Sequence, residues 1–137
     1  MWQNREVSRG TFTLAAVTGT LLVAGTTAPA YAAPSPASLC GSGYSVIDSH
    51  ALSSSPAATT YLLWNGSTNC VVTIRGTAGG ATLMHAKVKV EGGSWKVDEG
   101  NYTSYAGPVR VAGSGKCVMW GGGINEASYT SNWEHCG

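Results

Sequence analysis

Between Thr82 and Asp98 polar and apolar positions alternate. Thr82, Met84, Ala86, Val88 and Val90 share one parity and Leu83, His85, Lys87, Lys89 and Glu91 the other; beyond Gly92-Gly93, Trp95 and Val97 alternate with Lys96 and Asp98. Successive strand side chains point to opposite faces, so a period of two lets one face stay dry. Gly-Gly supplies the positive φ values of a two-residue turn, and the pattern predicts a β-hairpin centred on it. With Gly92 and Gly93 as the central turn residues, Val90 faces Trp95, Val88 faces Val97 and Lys87 faces Asp98. Lys89 then stands beside Lys96 in a mild repulsion. A lone hairpin of this size is unstable in water, so other segments must cover its dry face.

The rest of the chain repeats shorter strand signals. Tyr44, Val46, Asp48 and His50 share a parity against Ser45, Ile47, Ser49 and Ala51, which predicts a strand with mixed faces. After a polar loop from Ser53 to Ala58, Thr59 to Trp64 and Cys70 to Arg75 form a second hairpin. Their apolar runs, Tyr61 to Trp64 and Val71, Val72 and Ile74, are continuous enough to predict cover on both sides. Asn65-Gly66-Ser67-Thr68-Asn69 reads as a five-residue loop between them. Tyr102 to Tyr105 and Val109 to Val111 read as two strands parted by Gly107-Pro108, where the ring removes a ladder donor. Cys117 to Trp120 follows, then Gly121-Gly122-Gly123, which permits an unusual backbone path, and Ala127 to Trp133 is the last strand. Nowhere does a helical apolar period persist for about ten residues. The expected fold is all-β: a small antiparallel β-sandwich or barrel of about seven or eight short strands.

The N-terminus changes the picture of what folds. Arg5 and Arg9 precede a small, apolar run from Phe12 to Ala24, and Ala30-Tyr31-Ala32 offers a cleavage site, so residues 1–32 are expected to be a signal peptide. The run falls short of the roughly 20 residues that span a bilayer. Residues 33–39, with Pro34 and Pro36, are expected to be an extended, flexible lead-in, and residues 40–137 a single β domain. Of the 8 basic and 7 acidic side chains, Arg5, Arg9 and Glu6 fall in the leader, and the remainder balances at zero. With no Lys/Arg stripe, nucleic acid is not an expected partner; nor is stable membrane insertion after cleavage, for want of charge or a span.

Four cysteines, Cys40, Cys70, Cys117 and Cys136, lie beyond the leader. An even count in a small exported domain predicts two disulfides. Three pairings are open; Cys40 with Cys70 and Cys117 with Cys136 is favoured, because each bridge then closes one contiguous stretch. Zinc held by all four thiolates is disfavoured, since such ligands usually pair about two to four residues apart and no two of these do.

Candidate chemistry is sparse. Asp48 and His50 fall on one side of a strand, as a carboxylate orienting an imidazole would, yet no G-x-S-x-G elbow singles out a nucleophile. A hydrogen bond at a strand end is the simpler reading, and no catalytic residue is expected. His50, His85 and His135 show neither H-x-H nor H-E-x-x-H spacing, so no metal and no cofactor is expected. Gly113-Ser114-Gly115-Lys116 lacks the rest of a phosphate loop, and Glu126 with Glu134 would have little room for a sugar cleft. Among the aromatics, Trp64, Trp95 and Trp120 are expected in the core. Tyr102, Tyr105 and Trp133, set among glycines and polar residues, are the candidate binding surface.

Taken together, Cys40-Gly-Ser-Gly-Tyr44 with Val46-Ile-Asp48, Asn69-Cys70-Val-Val-Thr-Ile-Arg75, Tyr102-Thr-Ser-Tyr-Ala-Gly-Pro108-Val, Cys117-Val-Met-Trp-Gly-Gly122 and the terminal His135-Cys136-Gly137 resemble the spore-associated protein A family. That family comprises exported proteins of spore-forming, mycelial actinobacteria. The resemblance implies a small secreted protein found with spores or aerial growth, without an established enzymatic role; the expected function is non-enzymatic, at the spore or cell surface, with a spore or cell-wall surface, an extracellular protein or a polysaccharide as partner. The resemblance transfers no catalytic or binding residue. Two other classes stay open: an inhibitor or carbohydrate-binding module like the small two-disulfide amylase inhibitors, whose Trp-Arg-Tyr turn is missing here, and a small hydrolase using Asp48 and His50.

Overall fold

The computed structural model describes residues 33–137; the expected signal peptide lies outside the described residues. A short helix, α1 (Pro36–Cys40), precedes eight strands: β1 (Ser45–Leu52), β2 (Ala58–Trp64), β3 (Thr68–Arg75), β4 (Thr82–Val90), β5 (Lys96–Tyr102), β6 (Tyr105–Ala112), β7 (Val118–Ile124) and β8 (Ala127–Thr130). They form two four-stranded antiparallel sheets, ordered β8-β7-β4-β5 and β1-β2-β3-β6. We call these the β4 sheet and the β3 sheet. The expected all-β sandwich is present, and the disulfides are Cys40–Cys70 and Cys117–Cys136.

Alternation and continuity in the sequence become one-sided and two-sided burial. Leu62 and Val71 from the β3 sheet meet Met84, Val88, Val118, Trp120 and Ile124 from the β4 sheet in the central core. On its other face the β3 sheet carries Leu63, Cys70, Val72 and Ile74, packed with Leu39, Cys40, Tyr44, Tyr61 and Tyr105. β3 is therefore buried along nearly its whole length, whereas in β4 Met84, Ala86 and Val88 are buried and the residues between them are not. The Cys40–Cys70 bridge fastens α1 over the second core. This helix replaces the extended path expected there: Ser35 accepts a hydrogen bond from the Ser38 N–H (3.1 Å), and Pro36 suits a first turn, where no donor is needed.

A polar contact sets how closely the sheets approach. The buried Thr73 hydroxyl from β3 donates to the carbonyl of His85 in β4 (2.8 Å) and lies 3.0 Å from the Thr60 hydroxyl. A side chain at Gly122 would stand on these hydroxyls. The triple glycine thus runs inside β7 in regular pairing with β4, rather than taking an unusual path.

Five local expectations need correction. In the β4–β5 hairpin Lys87 pairs with Val97 and Val88 with Lys96, one residue off the expected register, because a five-residue connection from Glu91 to Trp95 replaces the two-residue turn. The slip turns Trp95 and Val97 outward and Asp98 inward, where its carboxylate accepts from the Gly107 N–H (2.7 Å) and the Tyr102 hydroxyl (2.5 Å). In β1 the pairing skips Ile47, a bulge that puts Val46 opposite outward Leu63 but Asp48 and His50 opposite inward Leu62 and Thr60. Gly107-Pro108 interrupts no strand: β6 is an edge strand with its own register shift there, which tolerates the missing donor. The Asn65 side chain accepts from the N–H groups of Ser67 and Thr68 and tightens that loop, while the last strand stops at Thr130.

Candidate functional site

The register slip adds Trp95 and Val97 to an exposed apolar surface on the outer face of the β4 sheet. Leu83 (44% exposed), Val97 (52%), Trp95 (36%) and Trp133 (41%) stand in solvent. Lys87 and Lys89 rise from β4 on that side. The Lys87 Nζ lies 4.8 Å from the centre of the Trp95 ring, and the Lys89 Nζ lies 5.6 Å from Trp95 and 5.7 Å from Trp133. An ammonium over an indole face is attracted by about 0.5–1 kcal/mol at exposed sites. Lys89 therefore sits between two indoles, and the repulsion expected between Lys89 and Lys96 is absent because Lys96 faces the other way. His85, further along β4, is held below its ordinary pKa chiefly by burial and also by Lys87, with Glu99 opposing. Flat rings beside cations can stack on apolar faces of a partner and pair with its anionic groups.

The three residues expected to form a binding surface are not brought together. Tyr102 and Tyr105 line one shallow cleft with Thr103, Ser104 and Gly107. The Tyr102 hydroxyl is engaged by Asp98, which raises its pKa through that hydrogen bond, and Tyr105 packs into the outer core of the β3 sheet. Trp133 lies beside Lys89, seven positions along β4 from the Tyr102 partner Thr82, about 23 Å at strand rise. Its companion is Trp95, which the slipped register removed from the expected core. Trp120 is fully buried and Trp64 partly so.

A second group gathers where β1 and β8 close the sandwich edge. Asp48 does not orient His50. Its Oδ2 lies 2.9 Å from Nε2 of His135, and the His50 ring stacks on Tyr129 with centres 3.7 Å apart. The indole N–H of Trp120 donates to Oε1 of Glu134 (3.0 Å), which is 4.0 Å from the same His135 nitrogen. Burial raises the pKa of Tyr129, aided by Glu134 and Asp48. Among the described residues, Asp48, Glu134 and His135 are the side chains whose ligand atoms converge, all within 4.8 Å. The stacked His50–Tyr129 pair, joined edge-on to Trp120, packs nearby.

Spore-associated protein A of Streptomyces coelicolor is 46% identical over 102 residues, covering 72% of this chain and 65% of that protein. The chain thus bears out the resemblance to the spore-associated protein A family. It spans about 65% of the length of the curated relative it matches, and that relative's name ties it to spores. No family model matches the chain, and no solved structure matches it. The sandwich geometry above therefore stands on this chain alone.

Proposed function

We propose that this protein is an exported, non-enzymatic component of the spore or cell surface, held there by the bare outer face of its β4 sheet. One observation carries the reading: Trp95, Lys89 and Trp133 form an exposed cation–indole strip on the outer face of the β4 sheet, beside exposed Leu83 and Val97. Exposed apolar patches rimmed by polar groups mark interaction surfaces. The spore-associated relative supports the location. The non-enzymatic part is supported by the fate of Asp48, which bonds His135 instead of aligning His50 for proton transfer. The same exposed indoles favour a second reading, a carbohydrate-binding module or an inhibitor of an extracellular enzyme.

Retention of purified protein on washed spores, cell walls, chitin, starch and culture proteins tests the proposal. Spores or walls are expected to retain it, and Trp95→Ala with Trp133→Ala to reduce retention at least tenfold while the fold is kept. Undiminished retention of the double variant would contradict the assignment of the face. Capture of one enzyme, or of a single pure polysaccharide, would favour the second reading.

A further inference from the structure

We propose that Asp48, Glu134 and His135 form a binding site for a divalent transition-metal ion of the zinc type, a staple between the C-terminal tail and β1. One imidazole nitrogen and two carboxylate oxygens are a donor set suited to such ions; calcium takes about six to eight oxygens instead. Around an ion with bonds of about 2.0–2.2 Å, neighbouring ligand atoms stand roughly 3–3.6 Å apart. Here His135 Nε2 is 2.9 Å from Asp48 and 4.0 Å from Glu134, and the whole group falls within 4.8 Å. Small rotations of partly exposed side chains bring all three into range.

Groups outside the cluster already hold the ligands in place. The fully buried Trp120 donates its indole N–H to Glu134, and the Ser49 N–H donates to Oδ1 of Asp48 (2.8 Å), leaving Oδ2 directed at the imidazole. Oriented carboxylates of this kind are what tunes a metal site. The backbone does the rest. The bulge at Ile47 turns Asp48 to the sandwich edge. Glu134 pairs with Val118 through both its N–H (2.9 Å) and its carbonyl (2.8 Å), and the Cys117–Cys136 bridge fixes the chain just past His135. All three side chains are about a third exposed, which gives an ion a way in and leaves room for water in its remaining positions. Spacing along the chain hides the set, since Asp48 and His135 are 87 residues apart.

Calorimetric titration of untagged, oxidised, chelator-stripped protein with Zn²⁺ and with Ca²⁺ tests this, alongside melting curves and the visible spectrum with Co²⁺. The expected result is one saturable Zn²⁺ site, a higher Tm with Zn²⁺ and none of this with Ca²⁺, and Co²⁺ bands of a site containing nitrogen and oxygen. His135→Ala, Asp48→Asn and Glu134→Gln should each weaken Zn²⁺ binding at least tenfold, while His85→Ala leaves it unchanged. The two amide variants keep the side-chain shape, so their loss of binding is not a loss of fold. Absence of saturable Zn²⁺ binding, equal binding of Ca²⁺, or undiminished affinity in His135→Ala and Asp48→Asn would overturn the assignment.

Discussion

On the outside of the β3 sheet, Leu63, Cys70, Val72 and Ile74 are sealed beneath α1 and its disulfide. On the outside of the β4 sheet, Leu83, Trp95, Val97 and Trp133 remain in water beside two lysines. The first face gained a cover from the chain itself, α1 together with Tyr44, Tyr61 and Tyr105. The second interleaves His85, Lys87 and Lys89 and gained none. A short helix, one bridge and three tyrosines cover one sheet face, while the other keeps its lysines and indoles in water. The bare face is where this fold can meet something else.

The largest effect that separates core from surface is expected from tryptophan. Trp120→Ala, which empties the space between the sheets, should cost about 3–5 kcal/mol in denaturant unfolding. Trp95→Ala should cost about 0.5–1 kcal/mol, the scale of its contact with the lysine ammonium groups. Similar losses for the two would erase the distinction.

Next comes the cover. Replacing Cys40 and Cys70 by alanine should cost about 3–4 kcal/mol through loop entropy. It should also release α1, so that hydrogen exchange rises in α1 and along the outer residues of β3 while the β4 sheet keeps its protection. Unchanged exchange in α1 would show that packing alone holds the helix.

The smallest effect belongs to His85 on the bare face. Burial, with help from Lys87 and against Glu99, lowers its folded-state pKa below the 6.5 of the free side chain. The unfolded chain therefore takes up this proton first as pH falls. The contribution is fully present above about pH 6.5 and is lost as pH drops toward the folded value. Melting curves from pH 7.5 to 5 should show a Tm loss of about 1–2 °C that His85→Gln removes; an identical slope in the variant would assign it elsewhere.

Why some of this was legible in the sequence follows from the same contrast. Two-sided burial leaves an uninterrupted apolar run, so the cover over Val72 and Ile74 could be anticipated, as could the sandwich and its contiguous disulfides. Register was harder. Gly92-Gly93 signals a turn but does not fix its length, and one residue of slip carried Trp95 and Val97 to the opposite face. A bulge erased the shared parity of Val46 and Asp48 in the same way. Of the expected surface residues, Trp133 is exposed beside Lys89 while Tyr102 and Tyr105 lie apart from it, and Trp95 stands outward although its alternation with Lys96 points it to the core. The meeting of Asp48 with His135 depends on how two distant sheet edges close, and no local pattern encodes that.

Hydroxyl-radical footprinting of the oxidised protein, alone and on washed spores, tests the asymmetry most directly. The account predicts strong labelling of Trp95, Val97 and Trp133 and protection of Trp120, Leu63 and Val72 in free protein, with Trp95 and Trp133 becoming protected on spores. Equal labelling of both outer faces, or no change at the two tryptophans on spores, would contradict it.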